Sequence, residues 1–116
     1  MREGTVKLFG KEYPACLSTR VMVKISEKTG MGFAAGINNL LDTDNVEGMF
    51  WLLAEMLEAG RKYHELIGES TPAPPSQDVL MDMIGMDDYK ILAEAIYDAA
   101  MTTAAADVDV ETDEKN

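Results

Sequence analysis

The sequence predicts a mainly α-helical domain of about five helices, opened by an N-terminal β-hairpin and closed by a disordered acidic C-terminal tail. Three observations lead there. Short alternating runs flank a glycine near the start, and a 3.6-residue apolar period bounded by helix-start and helix-stop residues fills the middle. From Ala104 to Asn116 the chain alternates small, Val and acidic residues without one aromatic, too little apolar surface to offset the cost of ordering. At 116 residues the chain has the size of one domain, so residues 1–103 are read as a single helical unit and 104–116 as its tail.

Thr5 to Phe9 and Glu12 to Cys16 alternate, and Gly10-Lys11 between them suits a type II′ loop with Gly at its first central position. That loop pairs Leu8 with Tyr13 and Val6 with Ala15, which puts all four on one face. Pro14 then falls on the other face and demands an edge position.

Ser18 is placed to cap a first helix running to about Thr29, with Gly30 as its stop. Met31 to Gly36 reads as a connection and Ile37 to Leu41 as a short helix. Asp44-Asn45-Val46-Glu47 is a capping-box variant with an acidic N-cap, and the apolar pattern behind it runs to Ile67 before Gly68. On that longest helix Val46, Phe50, Leu53, Leu57, Gly60, His64 and Ile67 form one stripe. With its flanking residues the apolar arc covers about 200°. So wide an arc packs on two sides, or on one side within the molecule and on the other against a second molecule.

Pro72, Pro74 and Pro75 make Glu69 to Ser76 a loop that no helix crosses. Ser76 caps a short helix to Ile84, Gly85 stops it, and the last helix runs from Asp88 to about Thr103 with Ile91, Leu92, Ala95, Ile96 and Ala99 inward.

Several function classes find no support. The longest strongly apolar stretch, Met49 to Leu57, is broken by Glu55 and is far shorter than the roughly 20 residues that span a bilayer, and no secretory h-region follows Met1. A cytoplasmic location is therefore expected, and Cys16, the single cysteine, fits a reducing compartment. The net charge of −11 repels phosphate backbones and argues against direct nucleic-acid binding. The only histidine, His64, occupies a core-facing helical position with no partner spaced to make it a catalytic base. One His and one Cys are fewer than a His/Cys metal site needs, and Asp78, Asp82, Asp87 and Asp88 lack the spacing of a calcium loop. No Gly-rich phosphate cradle follows a strand. No catalytic, cofactor or metal residue is assigned, and the chain is expected not to be an enzyme.

What remains points to protein binding. Nine methionines are many for this length, and their flexible side chains fill cores or line surfaces that adapt to partners. Met81, Met83 and Met86 are the interface candidates, because their short helix carries more apolar residues than it can bury. Residues 1–33 hold six basic and three acidic groups, against three and thirteen in residues 34–103. Arg20, Lys24 and Lys28 recur at i, i+4, i+8 and form a positive stripe, either an internal partner for the acidic helices or a contact for another copy. Used between copies, such a stripe gives salt-sensitive, head-to-tail self-association. Trp51 lies about 140° from Val46 among charged residues, where it covers the hairpin or faces a partner.

The order of these features resembles the tail assembly chaperones of long-tailed bacteriophages and prophages. The features are a hairpin reading Val6-Lys7-Leu8-Phe9-Gly10-Lys11-Glu12-Tyr13, a helix ending Glu27-Lys28-Thr29-Gly30, a long aliphatic helix, a proline loop, the run Asp78-Val79-Leu80-Met81-Asp82-Met83-Ile84, a last helix and an acidic tail. The resemblance implies a non-catalytic protein of the host bacterial cytoplasm, left out of the mature virion, that binds the tape-measure protein, recruits tail-tube subunits and self-associates. An acidic inhibitor, or a DNA mimic that binds a basic partner, is the alternative. The resemblance also implies a longer product made by a −1 ribosomal shift. Glu114-Lys115-Asn116 can be encoded GAA-AAA-AAC, which contains the slippery run A-AAA-AAC. The gene is expected to carry such a run there or slightly upstream with an overlapping −1 frame, and a nucleotide sequence with no overlapping frame counts against the family.

Overall fold

The computed structural model describes residues 4–104. Strands β1 (Thr5–Leu8) and β2 (Lys11–Pro14) form an antiparallel hairpin, followed by helices α1 (Thr19–Thr29), α2 (Phe33–Leu40), α3 (Val46–Leu66) and α4 (Gln77–Met83). A single 3-10 turn, Met86–Asp88, then leads into α5 (Tyr89–Ala104). The fold is mainly α with an N-terminal hairpin, as the two periodicities require. The tail expected from Ala104 lies outside the described residues, except that Ala104 itself ends α5.

The hairpin forms two residues out of the expected register. Val6 faces Tyr13 and Leu8 faces Lys11, so the loop is Phe9-Gly10 and not Gly10-Lys11. Both loop residues have positive φ, 54° and 80°, as in a type I′ turn, whose twist matches that of the strands it joins. Gly10 adopts this region freely, whereas Phe9 bears the roughly 1–2 kcal/mol that an L-residue incurs there. A shift of two preserves the parity of the side chains, so Val6, Leu8, Tyr13 and Ala15 still share one buried face. Pro14 stands opposite Thr5. That is a non-hydrogen-bonded position, where a missing N–H leaves the ladder intact.

Behind β2 the chain passes through the interior. Ala15, Cys16 and Leu17 are all buried and belong to no regular element, so their N–H groups need partners elsewhere. Ala15 donates to the Gly4 carbonyl at 2.8 Å and Cys16 to the Met56 carbonyl in the middle of α3 at 3.0 Å. Leu17 donates to Oγ1 of Thr103 on α5 at 2.8 Å, and that hydroxyl donates in turn to the Ala99 carbonyl at 2.9 Å.

Helix α3 is the central post, with β2, α1, α2 and α4 around it. Its wide apolar arc is thus satisfied within the molecule over its first four turns, where Met49, Phe50, Leu52, Leu53, Met56 and Leu57 are fully enclosed. The last turn departs from the expected stripe, because Leu66 and Ile67 project beyond the elements packed on α3 and are exposed. Leu80 anchors α4 in the same core, and Tyr89 meets Phe50 edge to face with ring centroids 5.8 Å apart.

Two element boundaries and one buried face differ from expectation. Asn45, and not Asp44, is the N-cap of α3, its side chain accepting from the Gly48 N–H, while the Asp44 N–H donates to Oδ1 of Asp42 at 2.9 Å. Helix α2 begins at Phe33, four residues early, because Gly36 serves as a close-packing site where a break was expected. A Cβ at position 36 would lie 2.9 Å from both Ile25 Cγ2 and Thr29 Oγ1 of α1. On α5 the buried arc is Leu92, Ile96, Ala99, Ala100 and Thr103. Ile91, expected inside, lies one 100° step from Leu92 on the outer side and is exposed. Ser18, Ser76 and Gly30 cap as expected, with both serines accepting N–H groups of the first turn and Gly30 at φ 68° donating to the Ser26 carbonyl at 2.8 Å.

Gly60 sets how closely the hairpin's exit can approach α3. A Cβ there would lie 2.3 Å from the Pro14 carbonyl oxygen and 2.9 Å from the Ala15 nitrogen, and backbone cannot swing aside as a flexible side chain does. Gly60→Ala is expected to lower the unfolding free energy by about 3 kcal/mol, outweighing the ~1 kcal/mol that alanine gains in a helix. Gly85→Ala, where a Cβ meets nothing within 4 Å, should stay within about 0.5 kcal/mol of wild type in the same urea titration. Equal effects from the two variants would remove Gly60 from this role.

Candidate partner-binding surface

The residues singled out from the sequence fall in two places. Lys24 and Lys28 of α1 lie against Glu47, Trp51 and Glu55, which recur at i, i+4, i+8 on α3. Lys24 Nζ is 2.9 Å from Glu55 Oε1 and Lys28 Nζ is 3.2 Å from Glu47 Oε2. Lys28 Nζ also stands 5.2 Å from the centre of the Trp51 ring, within cation–π range. From α4 the Gln77 side-chain amide donates to Glu47 Oε2 at 3.1 Å, so three helices converge on one carboxylate. The Gln77 hydrogen bond holds the Glu47 carboxyl below the usual glutamate value; slight burial opposes this, and Lys28 reinforces it. Two lysines of the positive stripe thus have partners inside the molecule, while Arg20 is exposed and makes no ion pair among the described residues.

Trp51 is half-buried and packs against the core beside α1. It does not lie over the hairpin, whose exit meets α3 at Gly60, nine residues and about 13 Å further along the helix axis. Farther along α3, Arg61 pairs with Glu58 and, at 2.9 Å, with Glu65; the Glu58 contact raises the guanidinium pKa and lowers that of Glu58. His64 Nδ1 is 2.8 Å from Glu69 Oε1, which ties the start of the proline loop to the end of α3.

The second place is the corner where α4 passes through the 3-10 turn into α5. The methionines differ in burial. Met49 and Met56 are enclosed in the core, while Met81, Met83 and Met86 face solvent, the last two at 58% and 76% exposure. Ile91, early in α5, is exposed at 68%. Phe9, at the tip of the hairpin, is exposed and lines a cleft of about 230 Å³ with Ile84 and Ile91. Phe9 and Ile91 were not singled out from the sequence. Only the positive φ of the turn turns Phe9 outward, and only the rotation of the buried arc of α5 does so for Ile91.

Among the described residues no group of three or more His, Cys, Asp or Glu side chains is arranged to hold a metal ion, and no helix is long and apolar enough to cross a membrane. No family model, curated protein or solved structure matches this chain.

The α1–α3 seam predicts a graded response. Trp51→Ala should cost about 2 kcal/mol, below the 3–5 kcal/mol of a fully buried aromatic, because part of the indole already meets water or the Lys28 ammonium. Lys28→Met, which keeps the aliphatic stem, should cost no more than about 1 kcal/mol. Thermal unfolding of both variants checks the order, and a Trp51→Ala protein as stable as wild type would remove the ring from the packing of the α1–α3 seam.

Proposed function

We propose that this chain is a non-catalytic, protein-binding chaperone of phage tail assembly, one that holds the tape-measure protein and brings tail-tube subunits to it. The observation that carries the reading is that Met81, Met83 and Met86, three flexible apolar side chains, are left in water with Ile91 on the successive elements from α4 to α5. Such side chains repack against varied apolar partners, which suits a protein that keeps an aggregation-prone client in solution. The order of elements, hairpin to last helix, is the other support, since it is the order on which the resemblance to these chaperones rests.

The second reading, an acidic inhibitor or DNA mimic for a basic partner, draws on the net charge of −11 and on Asp78, Asp82, Asp87 and Asp88 around the same corner. The two readings differ in what salt does. Charge-led binding weakens steeply as ionic strength rises, whereas burial of methionine and isoleucine does not.

Binding to a phage tape-measure protein, to be sought in the gene that follows this one, is the direct test, by co-expression and titration. Met83→Asp with Met86→Asp is expected to weaken the complex at least about 30-fold, as loss of a hot spot does, with melting temperature unchanged because both residues are exposed. Binding by wild type should change less than about threefold between 0.1 and 0.5 M salt. Full affinity in the double variant, or a steep fall with salt, would move the assignment to the acidic-inhibitor reading.

A further inference from the structure

The hairpin contains only two strands, and the edge of β1 is open. In a two-residue turn the pair that closes it, Leu8 and Lys11, is hydrogen-bonded, and bonding then alternates along the ladder, so Val6 and Tyr13 bond while Lys7–Glu12 and Thr5–Pro14 do not. The 2.8 Å bond from Ala15 N–H to the Gly4 carbonyl continues this alternation. The N–H and C=O groups of Thr5 and Lys7 therefore point away from β2, and none of them finds a backbone partner among the described residues.

Two clefts follow that edge. One, of about 230 Å³, lies beside the end of β1 with Ile91 and Ala95 of α5 on its far side; the other, of about 410 Å³, lies beside the start of β1 with Ala95 and Ala99. Both include Val6 and Lys7, and neither includes a residue of β2, so they form one trough on the open side of β1 with α5 as its far wall. Its far side carries apolar Ile91, Ala95 and Ala99 of α5, with Asp88 of the 3-10 turn near one end and Asp98 of α5 near the other.

We propose that β1 is a strand-addition site: an extended segment of a partner polypeptide pairs with the outward groups of Thr5 and Lys7 and lies along the α5 wall. Backbone groups supply the attachment, and the wall supplies the selection, favouring apolar side chains at alternate positions and basic residues toward the ends, opposite Asp88 and Asp98. The overall charge of −11 favours the same basic, extended segment over an acidic one. The inference rests on the protein-binding reading above and names a second, backbone-directed contact apart from the methionine corner.

The probe is a capped peptide of sequence Lys-Val-Thr-Val-Thr-Val-Lys, titrated into the full chain and followed by amide NMR and hydrogen exchange. Saturable shifts should centre on residues 4–9 and on Ile91 to Asp98, and exchange of the Thr5 and Lys7 amides should slow at least about tenfold. N-methylation of alternate peptide residues settles the geometry without altering the protein. Methylating either the threonines or the valines should weaken binding at least about tenfold, and methylating the other set less than threefold, because only one set of amides faces β1. Lys7→Pro, which removes an outward N–H and no bond to β2, should also abolish the shifts, whereas Lys7→Gln should retain them.

No shift at β1, or equal losses from both methylated peptides, overturns the proposal. Protection of Thr5 and Lys7 that grows with protein concentration in the free chain overturns it in favour of a second copy at this edge. Protection in the free chain at every concentration means that the chain fills its own edge, and also overturns it. A complex with the tape-measure protein that leaves both amides in fast exchange removes this site while leaving the proposed function intact.

Discussion

Three consecutive buried N–H groups hold this domain together. A peptide N–H removed from water without a partner costs roughly 1–3 kcal/mol, and Ala15, Cys16 and Leu17 find theirs on the residue before β1, on α3 and on α5 respectively. Each partner has to be in place for the linker to be buried at all, so the positions of hairpin, central helix and last helix are mutually conditional. The demand explains two residues with no other evident reason for their identity. Gly60 leaves space for the Pro14–Ala15 peptide against α3, and Thr103 is the polar residue in the buried arc of α5 because it must accept a hydrogen bond there.

Much of the fold was legible because local signals and tertiary demands agree. Ser18, Ser76 and Gly30 cap as their chemistry dictates, and the apolar arc of α3 is wide because neighbours surround it. Where reading and structure part, a tertiary contact has overridden a local preference. Gly10 suits two different turns, and the packing of the hairpin on the helices selects the one that places Phe9 at positive φ. Gly36 looks like a helix breaker yet lies inside α2, since a side chain there would collide with α1. Nothing in the spacing of Ile91 and Leu92 tells which of them is buried, because both fit an α5 stripe until the position of its neighbours is known.

The candidate surfaces were legible in the same uneven way. Met81 and Met83 were found by counting, as α4 has one buried side and Leu80 occupies it, while Met86 stands beyond that helix on the 3-10 turn. The positive stripe was visible as a spacing, but its targets at Glu47 and Glu55 belong to a helix some twenty to thirty residues distant and depend on how α1 crosses α3. The open edge of β1 left no mark in residue types, since backbone groups carry it and every residue has those. Surface chemistry therefore separates into a charged seam that joins helices and exposed apolar side chains and a strand edge that face outward.

The bond between Leu17 and Thr103 spans 86 residues of sequence, and this bears on how the molecule is made. Synthesis runs from the N-terminus at about 5–20 residues per second, so the hairpin and its linker leave the ribosome several seconds before α5 exists. Until then Leu17 lacks its acceptor and the inner face of the hairpin lacks the wall that α5 provides. The nascent chain accordingly presents its strands, including the open edge of β1, to whatever surrounds it, and closure of the N-terminal region waits on the last turn of α5.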